Sequence, residues 1–410
     1  ASPGDPPHMQ MACGGCHAEH LKGYEHSSHF SLALAVNAVL HHFGMERNLT
    51  SITEIPESEG PPEDKTQLVN DLLRRRCLRC HLYGEGDSYP YVHHGKGCAA
   101  CHLHYTEGKL DSHTFKLPGE RQCLSCHYGN YVGSEFIGKY EHDFNEEYRT
   151  PYTSTAPYAR PYGVEQHDLT PDIHKQQGLT CRDCHNAKEL TKGGATITCV
   201  DCHAAESLPQ LAHVRFEKGQ LILTGTEDGK DHPIPQLTHP AHEQYMDKVT
   251  CQVCHAQWGQ NDQPTHLLLS YFDDGEPWEN LTVQSSSEVE EFLLYNIYED
   301  DRPPTMTDSI TGQSKPGAWL QGYGKRRWEE LLIRKDKDGI IKVFRPLLDL
   351  HLSAVDEQGK LLAGLDNVTG NGDGLLPYTP HTTGPAGMFY IQRFLHLLEN
   401  QAEEEGAGDL

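Results

Sequence analysis

Long apolar runs are missing from this 410-residue chain. The longest stretch, about Leu32 to Leu40, is interrupted by Asn37 and falls far short of the roughly 20 residues a bilayer span needs, so no transmembrane segment is expected. Basic residues are scarce: 34 Lys and Arg stand against 59 Asp and Glu, a formal charge of −25. That balance excludes a basic phosphate-binding footprint, so nucleic acid is not an expected partner. It disfavours polybasic attachment to anionic lipid and would instead steer basic protein partners toward the chain. Hydrophobic residues make up 36% and mean hydropathy is −0.63, lean for a chain that must build a large side-chain core. No cysteine lies outside one recurring five-residue word, which excludes structural disulfides, a free thiol nucleophile and an iron–sulfur cluster.

That word, Cys-x-x-Cys-His, occurs seven times and accounts for all 14 cysteines. In chain order the sites are Cys13/Cys16/His17, Cys77/Cys80/His81, Cys98/Cys101/His102, Cys123/Cys126/His127, Cys181/Cys184/His185, Cys199/Cys202/His203 and Cys251/Cys254/His255, numbered 1 to 7 below. Two cysteines three positions apart share one face of a helical turn. Both sulfurs can then reach the two vinyl groups on one porphyrin edge, and the adjacent His can swing under the ring to ligate iron. The word is the attachment signature of c-type haem. Structural zinc takes its His ligands from elsewhere at their own spacing, and a thiol–disulfide centre has no need of the trailing His. Seven haem c groups are therefore the expected cofactor. They would supply the apolar surface the side chains lack, and the chain without them is expected to be largely unfolded.

The seven words span residues 13 to 255, with successive first cysteines 64, 21, 25, 58, 18 and 52 residues apart. So little protein between haems forces the rings near contact, which favours electron hopping. The expected fold is a multihaem cytochrome c: sparse short α-helices and long loops wrapped around a haem array. Length alone suggests two or three domains; the motifs suggest a seven-haem region over 1–262 and a haem-free region over 263–410. Helices are expected from Ser28 to Leu40 and from Glu63 to Arg76, the second with Leu68, Val69, Leu72 and Leu73 on one face. Residues 128–174 read as an aromatic loop covering haem. Hairpin signals join 330–334 to 340–344 and 348–355 to 360–363, which makes the haem-free region a small β-rich module. A final helix is expected over Pro385–Ala402, with Phe389, Phe394, Leu395 and Leu398 facing inward.

With seven of 28 His spent beside the cysteines, the other 21 compete for the sixth iron position; only six Met exist. Bis-His ligation is expected. Position favours His29, His94, His113, His174, His239, His242 and His381 as the distal ligands, with His93 beside His94. His381 would fasten the C-terminal module to the array. His41, His42, His213 and His232 are weaker candidates. The run from Asp366 to Gly374 has calcium-like oxygen spacing, but it lacks the closing Glu of an EF-hand loop, so a plain turn is the simpler reading of that second cofactor signal.

The segments His174-Lys-Gln-Gln-Gly-Leu-Thr-Cys181-Arg-Asp-Cys-His185 and Val249-Thr-Cys251-Gln-Val-Cys-His-Ala-Gln-Trp258 are similar to those of the multihaem c-type cytochromes of anaerobic respiratory bacteria and archaea. The resemblance implies low-potential electron relay, export to the periplasm, cell surface or beyond, and redox protein partners. The opening Ala1-Ser-Pro-Gly-Asp-Pro-Pro reads as a mature end. In the family a Pro-His-Thr-Thr stretch precedes one more haem word; here Pro380-His-Thr-Thr383 is followed by none. Three functions compete. The first is an electron carrier with every iron six-coordinate. The second is a reductase or oxidase of nitrite, hydroxylamine or a sulfur oxyanion, which needs an open iron with acid–base and positive groups beside it; no site ends in Lys, as some such enzymes require. The third is a conductive filament of stacked copies exchanging a His ligand, which acidic repulsion opposes.

Overall fold

The computed structural model describes residues 6–22, 24, 27–89, 92–106, 108–127, 132–141, 166–192, 197–204, 213–262, 265–274, 286–298, 302–321, 326–327, 331–348, 350–367 and 374–398. Short helices and small sheets alternate. Among the described residues no helix is long and apolar enough to cross a membrane.

The haem words sit where backbone geometry brings the two cysteines to one face. Sites 3, 6 and 7 each form a five-residue helix, Cys98–His102, Cys199–His203 and Cys251–His255. Site 5 forms Cys181–Cys184, site 2 a 3-10 turn over Cys77–Cys80, and site 4 closes the helix Glu120–His127. Site 1 lies inside Pro6–Leu21, which kinks at His17. At sites 5 and 6 the word is preceded by Thr and holds Asp at its third position, so Thr180/Asp183 and Thr198/Asp201 close reciprocal capping boxes.

The second expected helix runs Lys65–Arg75, started by the Asp64 carboxylate accepting from Thr66 and Gln67 N–H. Leu68, Val69, Leu72 and Leu73 are all buried. The first expected helix is two, Ser28–Ser31 and Ala33–His42, because Leu32 adopts a left-handed conformation (φ +47°) and turns against the core. The haem-word half also carries a three-stranded antiparallel sheet, Val214–Glu217, Gln220–Thr224 and Asp231–Pro233, which periodicity did not predict. Within 128–174 a helix Val132–Ile137 and the paired strands Lys139–Glu141 and Gln166–Asp168 replace plain loop, while 128–131 and 142–165 lie outside the described residues.

Beyond residue 262 the two hairpins form, Leu332–Lys335 with Ile341–Pro346 and Leu350–Val355 with Leu361–Asn367. Gly339 and Gly359 take the positive φ their turns require (+81° and +73°). Leu350–Val355 also pairs in parallel with Thr265–Ser270, which pairs with Ala318–Gln321, giving a four-stranded sheet. The main apolar core joins this sheet to the early helices: Val36, Leu40, Leu68 and Leu72 pack in one cluster with Leu269, Trp319 and Leu352. The core thus draws on both sides of residue 262. Trp319 is fully buried, and its indole N–H donates to Asp71 Oδ1 at 2.7 Å. Trp319→Ala is expected to cost about 3–5 kcal/mol, read from the shift in a urea unfolding curve.

The expected closing helix forms later than its apolar period suggests: 385–389 is not helical, a 3-10 turn runs Tyr390–Arg393, and α-helix is present over 395–398. Phe394 is buried, and Phe389 and Leu395 face outward. Pro385 and Gly387 withhold a helical start, and the Arg393 guanidinium donates to the Val253 and Ala256 carbonyls at site 7, fixing the turn there instead. Residues 399–402 lie outside the described set.

Candidate functional site

Four of the seven word histidines face a histidine ring from a distant part of the chain. His127 stands 6.3 Å (ring centre to ring centre) from His29, His203 6.1 Å from His174, His185 6.3 Å from His381, and His255 6.1 Å from His242. Two imidazoles bound through one nitrogen each on opposite faces of a metal, at about 2 Å per bond, would hold their ring centres about 6 Å apart. Such a pair would supply two imidazole nitrogens to a metal whose remaining ligands come from elsewhere. Among the described residues no group of three or more His, Cys, Asp and Glu is arranged to hold a bare ion.

Local structure brings these rings together. Ala187–Lys192 packs on Ser28–Ser31, which carries His29. His242 lies in Pro240–Tyr245 and His174 in Ile173–Gln176, a turn capped by Asp172. Hydrogen bonds at the other ring nitrogen fix the orientation. Nδ1 of His203 lies 2.7 Å from Pro235 O, of His255 2.9 Å from Gly384 O, of His381 3.1 Å from Thr379 O and of His102 2.9 Å from Lys116 O. His174 Nδ1 meets Asp172 Oδ1 at 2.8 Å and His185 Nδ1 meets Glu189 Oε1 at 3.1 Å. An Nδ1–H donating to oxygen leaves Nε2 as a bare lone pair, the form a metal needs. Burial disfavours the charged Asp172 carboxylate, but hydrogen bonds from His174 and Thr383 outweigh it and hold its pKa below the ordinary value.

All 14 thiols are free. Cys77, Cys80, Cys184 and Cys199 are reached by solvent, yet protein surrounds them as the wall of a recess surrounds its contents. Those surroundings push Cys77 up to about 11 and Cys184 to about 12, and the half-buried Cys254 to about 11. Thiols of different sites lie near enough to perturb one another: Cys13 and Cys98, Cys80 and Cys126, Cys123 and Cys181, Cys199 and Cys251. Cys101 bears on both Cys123 and Cys126, and Cys202 on Cys184. The sites therefore run 1–3–4–5–6–7, with site 2 attached to site 4. Cysteine pairs, each beside an imidazole, have the donor chemistry that thioether attachment and iron ligation of haem c would need.

Cys16 stands apart from the thiols just described. It is exposed, and none of the described sulfur contacts includes it. The reason lies in its helix. Residues 15–20 of Pro6–Leu21 are exposed throughout, and the backbone leaves helical geometry at His17, directly after Cys16. Only Cys13, half-buried one turn earlier, is drawn against the array through Cys98. Site 1 thus has one sulfur in place and its second sulfur and His17 on the surface.

The remaining candidates divide. His94 is buried, directs Nδ1 to Gly95 O at 2.8 Å and places Nε2 3.5 Å from Cys126 Sγ. His81 is pushed down to about 4, by burial first and by His94 next. His113 is exposed, and none of the described ring contacts brings it to a site. His239 is not opposite His255; its Nδ1 accepts from Ala241 N–H and caps the helix that carries His242. That is the work of a residue preceding Pro240. Nε2 of His41, His42 and His213 is taken up by Asn48, Leu348 O and Asp183 O, and His93 packs on Tyr105. His17 has His20 beside it, three residues on, and His102 faces the Phe115 ring at 6.3 Å. Asp366 accepts from His351, and 368–373 of the calcium-like run lie outside the described residues.

Sequence reasoning missed the residues that hold the ligands. Asp172 was visible as Asp-x-His, an N-cap two residues before His174. Glu135 carried no signal. It is buried, and its carboxyl accepts from Gln260 N (3.2 Å), His381 N (2.8 Å) and Tyr378 Oη. Burial pushes it up to about 7, against the pull of those donors. The loop 379–384 is knit in by three hydrogen bonds, one to the cap of His174 and two beside site 7: Thr383 N donates to Asp172 Oδ2 (2.6 Å), Gln257 N to Thr382 O (2.9 Å) and Gly384 N to His255 O (2.9 Å).

Compared with known proteins, the chain matches no family model, and no curated protein or solved structure is significantly similar to it.

Proposed function

We propose that this chain is an exported electron carrier that binds seven haem c groups and passes electrons along them. The observation that carries the reading is the set of four ring pairs, each joining a Cys-x-x-Cys-His histidine to a remote histidine at 6.1–6.3 Å. Haem supplies a reversible one-electron iron couple. The chain supplies thioether anchors from the cysteines of the seven words and, at sites 4 to 7, two imidazoles apiece, most of them held against rotation by a hydrogen bond at Nδ1. Closed axial positions favour electron transfer over substrate binding. The nearness of thiols from neighbouring sites supports close spacing of the haems and the order given above. The charge of −25 favours redox protein partners with a basic face.

Intact mass and visible spectra test the reading: the chain is expected to exceed its polypeptide mass by seven haems and to show six-coordinate low-spin iron at sites 4 to 7. A colourless protein of bare polypeptide mass would overturn it. The enzyme reading finds its foothold at site 3, where His102 faces Phe115 instead of a histidine. If site 3 is an open iron, cyanide or carbon monoxide will bind about one haem per chain; if no haem binds either, that reading fails.

A further inference from the structure

His381 lies in a loop after the strand Leu375–Pro377, outside any ladder of backbone hydrogen bonds. Something else must hold its ring opposite His185. On the C-terminal side of the loop Thr382 exchanges contacts with Trp258, and Thr383 is tied to Asp172. On the His381 side the anchor is Glu135, from the helix Val132–Ile137. That helix is itself set against site 4: an added Cβ on Gly133 would come 1.8 Å from the His127 carbonyl oxygen, so only glycine permits the approach.

Burying a carboxyl group is costly unless its oxygens are fully engaged. Glu135 Oε2 accepts from His381 N–H, and Oε1 from Gln260 N–H and Tyr378 Oη. The donors tie the helix to the segment before site 7's following strand, through Gln260, and to the C-terminal loop, through Tyr378 and His381. A neutral apolar residue would fill the space more cheaply but would leave the two backbone N–H groups without these acceptors.

Resting on the haem reading above, we propose that Glu135 is a positioning residue for site 5: by clamping the His381 amide to the helix beside His127, it holds the His381 imidazole in place as the axial ligand opposite His185.

The test is the spin state of the full-length, haem-loaded protein by EPR and magnetic circular dichroism. Glu135→Ala is expected to keep seven haems and convert about one in seven to high spin, as His381→Ala does, with added imidazole restoring low spin in both. Glu135→Gln is expected to stay low spin, since its amide can turn to accept from His381 N–H and donate to Tyr378 Oη. Should Glu135→Ala not accumulate, Glu135→Asp serves: its carboxylate, one methylene shorter, is expected to give a partial high-spin signal at one haem. A Glu135→Ala protein with seven haems, all low spin, would overturn the proposal and leave the haem reading intact. So would equal loss of haem from the Ala and Gln variants, which would mark a general role in stability. A wild-type protein without haem would instead overturn the reading beneath it.

Discussion

Removing the fourth attachment site with Cys123→Ala and Cys126→Ala is expected to slow electron passage from site 1 to site 7 by about 100-fold or more, roughly 2.7 kcal/mol of added barrier. Site 4 is the junction of the array. Its helix Glu120–His127 packs on both Cys98–His102 and Cys181–Cys184, and its thiols lie near enough to those of Cys80 and Cys181 to perturb them. Every route from the early sites to the late ones crosses it. Cys77→Ala with Cys80→Ala removes a side branch and is expected to change the same rate by less than about threefold, under 1 kcal/mol. Stopped-flow reduction and reoxidation, with haem content verified by mass, separates the two. Equal slowing by both pairs would refute the order 1–3–4–5–6–7.

The second large effect concerns the chain made without haem attachment. Composition alone predicts a largely unfolded polypeptide. The structure divides that expectation, because the cluster around Trp319, Leu269 and Leu72 is built from side chains only. Hydrogen exchange is expected to find protection retained in 65–75, 265–270, 318–321 and 350–367, and lost by about 100-fold or more, some 2.7 kcal/mol of local opening, across 98–127 and 181–192. Those two segments contribute no side chain to the buried apolar clusters. His127 illustrates this: burial foremost, then the neighbouring histidines, pushes it down to about 4, a cost that a bound metal would offset. Uniform protection across both sets would contradict this view.

Much of this was readable before any coordinates. Covalent attachment demands both cysteines and the histidine at fixed spacing, so the seven sites declare themselves. Spacing does not report surroundings, however, and Cys16 shows the difference: its word is intact while its thiol lies on the surface. Lys65–Arg75 was legible because its apolar period coincides with an Asp cap, and the two hairpins because Asp-Gly and Gln-Gly turns separate alternating runs. The distal ligands were harder, since a partner such as His29 for His127 is chosen by packing between remote segments. Local signals did not separate His239 from His242: the first, directly before Pro240, caps a helix, while the second faces the ring of His255. The final helix starts about ten residues later than its apolar period suggests because Pro385 and Gly387 withhold an earlier start. Glu135 was invisible because a buried acid in a six-residue helix has no pattern to betray it.

The parallel pairing of Thr265–Ser270 with Leu350–Val355 has a consequence for how the protein is made. A parallel pair needs a long crossover, and here the intervening chain supplies the neighbouring strand Ala318–Gln321. Such non-local contacts form late and slowly. In a polypeptide that emerges from its N-terminus, every attachment cysteine is out before residue 350 arrives to close the sheet. The thiols thus have an interval in which a modifying enzyme can reach them, and the topology itself sets its length.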